Sequence, residues 1–431
     1  MRSTDYLIIG GSAAGTTAAE TIRNLNSNAS ITVVSDEGHE FYSRVLIPHY
    51  IRGKVERQQI FLRKPQWYTE NKIELVKKTK AVKLSSQNHS VDLNSGEQLK
   101  YGKLLISIGG YVVPLKIPGS DSKNIFYMRT VEDADGIIKA AKKAKKGVII
   151  GGGFIGLEFT SCFKVNGVED VTVLVREPYY WAGKLDEASS KVLVNVLEKN
   201  GVKVLTNEEV ESIQPITRTD PVKAVGLVQT KSGKNFDADV VGVGIGIKSD
   251  LSWLDGSGVK VDRAIVTNEY LETNVPDIYA AGDCAQFWDV IFNRQHIIGN
   301  WANATSQGNA VGKTMAITSP KASEGQAGQR TVFETASSYS INYFSGSCTF
   351  IGVTDEVYAD EIIVRGSVEN HKMTRIFIKT IDNVLRVVGA TVINSTPDVA
   401  PLTIAVKSKA DISTYKDKLG DLSFDFNKIN N

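Results

Sequence analysis

Residues 148–159 read VIIGGGFIGLEF, and residues 7–18 read LIIGGSAAGTTA. Each is a short apolar run that breaks at glycines and resumes with helix-forming residues, the pattern of a strand, a tight turn and a helix. Gly151, Gly153 and Gly156 fill the three places of a GxGxxG fingerprint; Gly10, Ser12 and Gly15 fill the same places earlier in the chain, with serine in the middle one. The first glycine permits the turn, and the small second residue lets backbone approach a pyrophosphate. The third lets the helix lie on the strand with its N-terminal NH groups aimed at phosphate.

The residues after each helix decide what each turn cradles. The run ITVVS ends at Ser35, and Asp36 and Glu37 follow, where a carboxylate can accept the hydroxyls of a ribose. The run VTVLV ends at Val175, and Arg176 and Glu177 follow. Glu177 suits a bare ribose and NADH, whereas Arg176 suits a 2′-phosphate and NADPH, so both nucleotides stay open here. Two cradles in one chain imply two nucleotides. A flavin with a nicotinamide is the chemically sensible pair, because FAD accepts hydride and releases electrons singly.

The rest of the composition narrows the class. The chain has 431 residues, enough for two or three domains, and a formal net charge of +2, which gives no general reason to expect nucleic acid. No apolar run approaches the roughly 20 residues of a membrane helix. The start, MRSTDYLIIGG, enters a strand almost at once, so no signal peptide is expected. Cys162, Cys284 and Cys348 are few and far apart, which fits a reducing compartment and a cytoplasmic location. They form no CxxC or CxxxxC pair, and the five histidines show no metal-ligand spacing, so no metal is expected. Two more segments carry information. TNVPDIYAAGDCAQF, 273–287, is a strand ending at Gly282 and Asp283, a place suited to hold a ribityl hydroxyl. NWANATSQGNAVGKTMA, 300–316, is a helix whose N-terminal NH groups suit the pyrimidine end of a flavin.

Taken together, GGSAAG, SDEGHEFYSR, LLISIGG with IPG, GGGFIGLE, VGVGIGIKSD, YAAGDCA and NWANATSQG resemble the pyridine nucleotide–disulfide oxidoreductase superfamily, flavoproteins with two dinucleotide-binding domains. The resemblance is to the branch with ferredoxin and rubredoxin reductases, the NADH nitrite reductase flavoprotein and apoptosis-inducing factor. It implies an α/β fold of two Rossmann-like domains, for FAD and NAD(P), plus a C-terminal α+β domain. Gly10, Ser12, Ala14 and Gly15 would cradle the FAD pyrophosphate, Asp36 the adenosine ribose, and Arg44 the phosphates or ribose. Ala81 would touch adenine, Gly109 would lie against the cofactor, and Gly282 with Asp283 would hold the ribityl chain. Trp301 and Ala302 would lie near the isoalloxazine. Gly151, Gly153 and Gly156 would cradle NAD(P), and Gly246 would approach its nicotinamide end.

The departures from the family are as informative. Val45 stands at the place of the family's single redox cysteine, and Ala13 at that of a histidine some peroxide- or oxygen-reducing members carry, so thiol chemistry is not expected. The branch usually has a lysine five residues after the YxR arginine, paired with the glutamate of GxxGxE. Here those places are His49 and Glu158. A buried glutamate needs a partner, so His49 and Glu158 are expected to pair at the flavin edge and to make that pair sensitive to pH.

The resemblance also sets the domain expectation. Residues 1–117 and 248–329 form the FAD domain, 118–247 the NAD(P) domain and 330–431 the C-terminal domain. KIPG at 116–119 and GIKSD at 246–250 mark the crossings, and KASEGQAGQ, 321–329, is a polar linker. In the last domain, strands are expected in SSYSINYFSGSCTFIGV and EIIVRGS. Two more flank a turn at Asp382-Asn383, and a helix follows in PDVAPLTIAVKSK. That domain can cover the flavin edge, form a homodimer contact or bind a partner. The basic stretch IKAAKKAKKG, 138–147, reads first as a solvated face and second as a docking patch for an acidic carrier. The expected activity passes hydride from NAD(P)H to FAD and electrons onward to a small iron–sulfur or comparable carrier such as ferredoxin or rubredoxin. An NAD(P)H oxidase or quinone reductase is the second reading. A slow, NAD(P)H-responsive flavoprotein acting through binding is the third.

Overall fold

The computed structural model describes residues 2–214, 226–317 and 330–430. The expected linker at 321–329 lies outside the described residues. The described residues divide into two compact units, each discontinuous in sequence. Those within 1–44, 57–111 and 248–335 form the first, and those within 45–56, 112–247 and 336–431 form the second.

The first unit is built on β1 (Arg2–Ile9), α1 (Ala13–Leu25), β2 (Ile31–Val34), β3 (Ile73–Val76) and β4 (Gln98–Ile106). Its sheet runs β3-β2-β1-β4 in parallel, with Ile9 opposite both Val34 and Ile106. The strand Ile278–Ala280 adds in parallel to β4, and Ser90–Leu93 and Ala81–Ser85 continue the sheet antiparallel. Side chains of β1 alternate between two cores. Tyr6 and Ile8 pack with α1 and the helix Trp301–Ile317, whereas Leu7 and Ile9 pack with Trp253 and Leu254. Burial on both faces is why these strands read as unbroken apolar runs rather than as alternations.

The second unit repeats the plan with β5 (Lys146–Ile150), α2 (Phe154–Val165), β6 (Asp170–Leu174), β7 (Val202–Leu205) and β8 (Val240–Val243). The order is β7-β6-β5-β8 followed by the strand Ile125–Tyr127, all parallel, with Ile150 opposite Leu174 and Val243. The segment around the short helix Ile47–Ile51, placed by sequence in the first domain, groups with this unit. So does a five-stranded antiparallel sheet in the order Ser338–Tyr343, Gly346–Gly352, Val384–Ile393, Lys372–Ile381, Glu361–Ser367. Asp382 and Asn383, with φ of 52° and 61°, form the two-residue turn between the last-expected pair of strands. Two consecutive left-handed residues match the twist of the strands they join. The helix Thr396–Ser408 follows, with proline in its first turn, where a missing N–H costs nothing.

In the basic stretch, Lys145 is paired with Glu169 and Lys146 with Asp237. Neighbouring carboxylates partly neutralise that face, which favours the solvated-surface reading. Among the described residues no helix is long and apolar enough to cross a membrane.

Candidate active site

In the first unit, β1 delivers the chain to Gly10 at φ +115°, and the Gly10 N–H donates to Val34 O at 2.8 Å. A Cβ on Gly15 would stand 1.9 Å from Gly10 O and 2.7 Å from Ser107 Oγ, so only glycine lets α1 begin so close to the turn. Ser12 caps α1 without a side-chain cap bond, and no acidic residue occupies the first helical turn. The N-terminal NH groups of α1 are therefore presented to an anion with no carboxylate of their own in front of them. These are the features a dinucleotide pyrophosphate requires, and the residues fit it.

Asp36 follows β2 and lines a pocket with Gly10, Lys80, Ala81, Tyr111, Asp250 and Trp253. Tyr111 Oη donates to Asp36 Oδ2 at 2.8 Å. Lys80 Nζ lies 3.9 Å from the same carboxylate and 5.1 Å from the centre of the Tyr111 ring. The carboxylate keeps one oxygen for a ribose while Tyr111 fixes its rotamer. Arg44 is held by Glu37 and by Tyr42, whose hydroxyl also donates to Glu37. Ala81 begins its strand in this pocket, and Gly109, at φ +64°, accepts Ser249 Oγ through its carbonyl at 2.6 Å. Gly282, at φ +83°, donates its N–H to Gln307 Oε1 at 2.7 Å, and the half-buried Asp283 comes next. Trp301 and Ala302 open the helix Trp301–Ile317, and Trp301 stacks on Phe41 at 5.4 Å with rings 2° from parallel. The first unit thus gathers Gly10, Ser12, Ala14, Gly15, Asp36, Arg44, Ala81, Gly109, Gly282, Asp283, Trp301 and Ala302.

The second unit repeats the turn. Gly151 has φ +114°, and a Cβ on Gly156 would lie 2.1 Å from Gly151 O. Nothing stands within 4 Å of the place a Gly153 Cβ would take, so the middle of this turn opens to a ligand. Arg176 and Glu177 follow β6 and bond each other at 2.9 Å on the surface. Gly246, at φ +116°, is exposed and accepts the Val113 N–H at 3.0 Å.

The expected pairing of His49 with Glu158 is corrected by the structure. Glu158 takes Arg52 instead: Arg52 Nη1 lies 2.5 Å from Glu158 Oε2, with side chains only 7% and 10% exposed. The short helix Ile47–Ile51 ends by passing Arg52 toward α2, three residues beyond the histidine. Burial pushes the Glu158 carboxyl above the usual carboxylate range, outweighing the pull of Arg52 and Lys54 in the other direction. His49 is held below the usual histidine range, first by burial and then by the cations Arg52 and Lys54, so it is neutral at pH 7. A depressed histidine stabilises the native state above the ordinary histidine range, and that contribution is lost as pH falls through the folded value. His49→Ala is accordingly expected to change stability by no more than about 0.5 kcal/mol at pH 7–8 and to gain on the wild type toward pH 5. Denaturant midpoints across that range check both statements.

All three cysteines are buried and unpaired by disulfide. Burial pushes the thiols of Cys162, Cys348 and Cys284 up, the last to about 12, so none is a thiolate at neutral pH. Val45, at the place of the family's redox cysteine, is 52% exposed.

Sequence reasoning missed Tyr111, Lys80 and Arg52, and it offered Glu37 beside Asp36 for the ribose, whereas Glu37 is engaged by Tyr42 and Arg44. Arg52 had a weak signal, since LIPHYIRG offers it as the next cation after His49. Tyr111 had none beyond following two glycines.

A family model described as pyridine nucleotide-disulphide oxidoreductase matches residues 4–308. The chain belongs to this family. FAD is accordingly its cofactor, and the family is one that uses NAD(P)H. Nitrite reductase [NAD(P)H] of Bacillus subtilis is 31% identical over 287 residues, which are 66% of this chain and 35% of that protein. The chain thus spans about a third of the length of the first curated relatives it matches. An NADH oxidase of Methanocaldococcus jannaschii is 31% identical over 319 residues, 72% of this chain and 69% of that one. Among solved structures, a putidaredoxin reductase in covalent complex with putidaredoxin matches with a TM-score of 0.87 and 24% identity, covering 100% of this chain and 98% of that chain. At that identity the likeness speaks for the fold.

Proposed function

We propose that this NAD(P)H oxidoreductase hands electrons from its flavin to a small iron–sulfur carrier such as a ferredoxin or rubredoxin. The observation that carries the reading is the pair of glycine turns. One stands in each unit and both are built to the same geometry, with no nucleophilic thiol beside either. A structural neighbour crystallised with its small redox partner supports the choice of acceptor.

When bound, FAD supplies an acceptor for hydride and a store from which electrons leave one or two at a time. The chain's own residues bind and orient. Gly10, Ser12, Ala14 and Gly15 present the N-terminus of α1 to the FAD pyrophosphate, and Asp36, steadied by Tyr111, accepts the adenosine ribose. Ala81 and Gly109 bound the adenosine end, Arg44 braces that side through Glu37, and Gly282 with Asp283 receives the ribityl chain. Trp301, backed by Phe41, and Ala302 serve the isoalloxazine. Gly151, Gly153 and Gly156 hold NAD(P)H, with Gly246 toward its nicotinamide. Glu158 is held in place by Arg52. The antiparallel sheet spanning residues 338–393, within the second unit, meets the carrier or a second copy of the chain.

Tyr111→Phe removes one hydrogen bond to a charged acceptor. It is expected to weaken FAD binding about tenfold, on the order of 1.5 kcal/mol, read from flavin fluorescence released on dilution. The acceptor is tested by anaerobic stopped-flow reduction with NAD(P)H, then mixing with ferredoxin or rubredoxin. Transfer to a carrier faster than peroxide formation in air supports the proposal. Rapid peroxide formation with no transfer to either carrier overturns it in favour of an oxidase, the reading the Methanocaldococcus relative favours.

A further inference from the structure

The two glycine turns correspond residue for residue in their backbone hydrogen bonds. Gly10 N donates to Val34 O at 2.8 Å, and Gly151 N to Leu174 O at 3.0 Å. Ser35 N reaches Val76 O and Val175 N reaches Leu205 O, each at 2.8 Å. Lys78 N reaches Glu37 O and Asn207 N reaches Glu177 O, each at 3.0 Å, and both donors sit at positive φ, 54° and 56°. Position 35 therefore answers to 175, 36 to 176 and 37 to 177.

The side chain at the first of these positions faces the second glycine of its turn. A Cβ on Gly11 would lie 3.2 Å from Ser35 Cβ, and one on Gly152 would lie 2.7 Å from Val175 Cγ1. In the second unit that place is apolar and fully buried, so it offers a ribose no acceptor. At the next position the first unit has Asp36, the carboxylate that lines the pocket, while Glu37 is turned to Tyr42 and Arg44. The second unit has Arg176 where Asp36 would be. A carboxylate accepts from ribose hydroxyls and repels a phosphate; a guanidinium accepts nothing and donates to phosphate through two N–H groups at once. The bond from Arg176 to Glu177 joins side chains that are 70% and 38% exposed, and such a surface pair competes weakly with a bound phosphate.

We infer that Arg176 receives the 2′-phosphate of the nicotinamide nucleotide and that the chain uses NADPH in preference to NADH. The inference rests on the reading of the second turn as the NAD(P)H cradle. The experiment compares kcat/KM for NADPH and NADH, with ferricyanide as acceptor, in the wild type, Arg176→Ala and Arg176→Lys. It adds competition by 2′,5′-ADP and by 5′-ADP. The expected result is a wild-type preference for NADPH, carried by KM. Arg176→Ala lowers the NADPH-to-NADH ratio on the order of 10- to 100-fold, and Arg176→Lys keeps part of it. Stronger competition by 2′,5′-ADP than by 5′-ADP, lost in Arg176→Ala, agrees with it. A wild type that prefers NADH, with a ratio unmoved by Arg176→Ala, overturns the inference and leaves the ribose to Glu177. A flavin-loaded protein that neither nucleotide reduces and neither ADP protects overturns the cradle reading as well.

Discussion

Arg52→Ala is expected to destabilise the chain by about 3–5 kcal/mol at pH 7, the penalty for stranding a buried carboxylate. Arg52 and Glu158 have side chains 7% and 10% exposed, so water does not replace the lost partner. The pH dependence identifies the cause. Burial already holds the Glu158 carboxyl above the ordinary carboxylate range, and losing Arg52 raises it further. A raised carboxyl gives the native state an advantage that is full below the ordinary carboxylate range and lost as pH rises through the folded value. The gap between variant and wild type should therefore be widest near pH 7–8 and narrow toward pH 5, as Glu158 takes up a proton and no longer needs a cation. Denaturant unfolding at several pH values measures this. A double replacement, Arg52→Met with Glu158→Leu, should recover most of the loss, because a buried pair is worth far less than the cost of halving it. A gap below about 1 kcal/mol, or one that does not change with pH, would show that the pair is not buried as described.

The Arg52 result also shows what the sequence could and could not reveal. The glycine turns were legible because each demands residues that nothing else replaces: left-handed backbone at Gly10 and Gly151, and no Cβ at Gly15 and Gly156. The strand pair around Asp382-Asn383 was legible for the same reason. Glu158 was legible as a buried acid in need of a partner, but the partner was not. That choice depends on where a five-residue helix ends and which way its last residue leaves, and spacing counted from Arg44 pointed to His49 instead of Arg52. Tyr111 was illegible for a different reason. Its partner Asp36 is 75 positions away, and only the parallel sheet brings the two strand ends together. The membership of residues 45–56 in the second unit has the same origin as the Arg52 error, a long-range contact deciding what local pattern leaves undetermined.

Gly15→Ala and Gly156→Ala should separate the two cradles by colour and by reactivity. The added Cβ would meet Gly10 O at 1.9 Å in one case and Gly151 O at 2.1 Å in the other. Both obstacles are backbone, so no side-chain rotation relieves them. The N-terminus of α1 or α2 must retreat, and with it the NH groups aimed at a phosphate. A displacement of about 1 Å at such a site is enough to cost on the order of 100-fold. Gly15→Ala is therefore expected to purify with less than about a tenth of the wild-type flavin absorbance, and saturating FAD should restore little of it. Gly156→Ala should remain as yellow as the wild type, yet need roughly 100-fold more NAD(P)H for half-maximal anaerobic bleaching. Because the two clashes are nearly equal, a general loss of stability would affect both variants alike. The assignment of the two turns depends on the effects falling apart: flavin loss confined to Gly15→Ala, nucleotide loss confined to Gly156→Ala. If the colourless variant is Gly156→Ala instead, FAD belongs to the second unit and the roles given to the two turns are reversed.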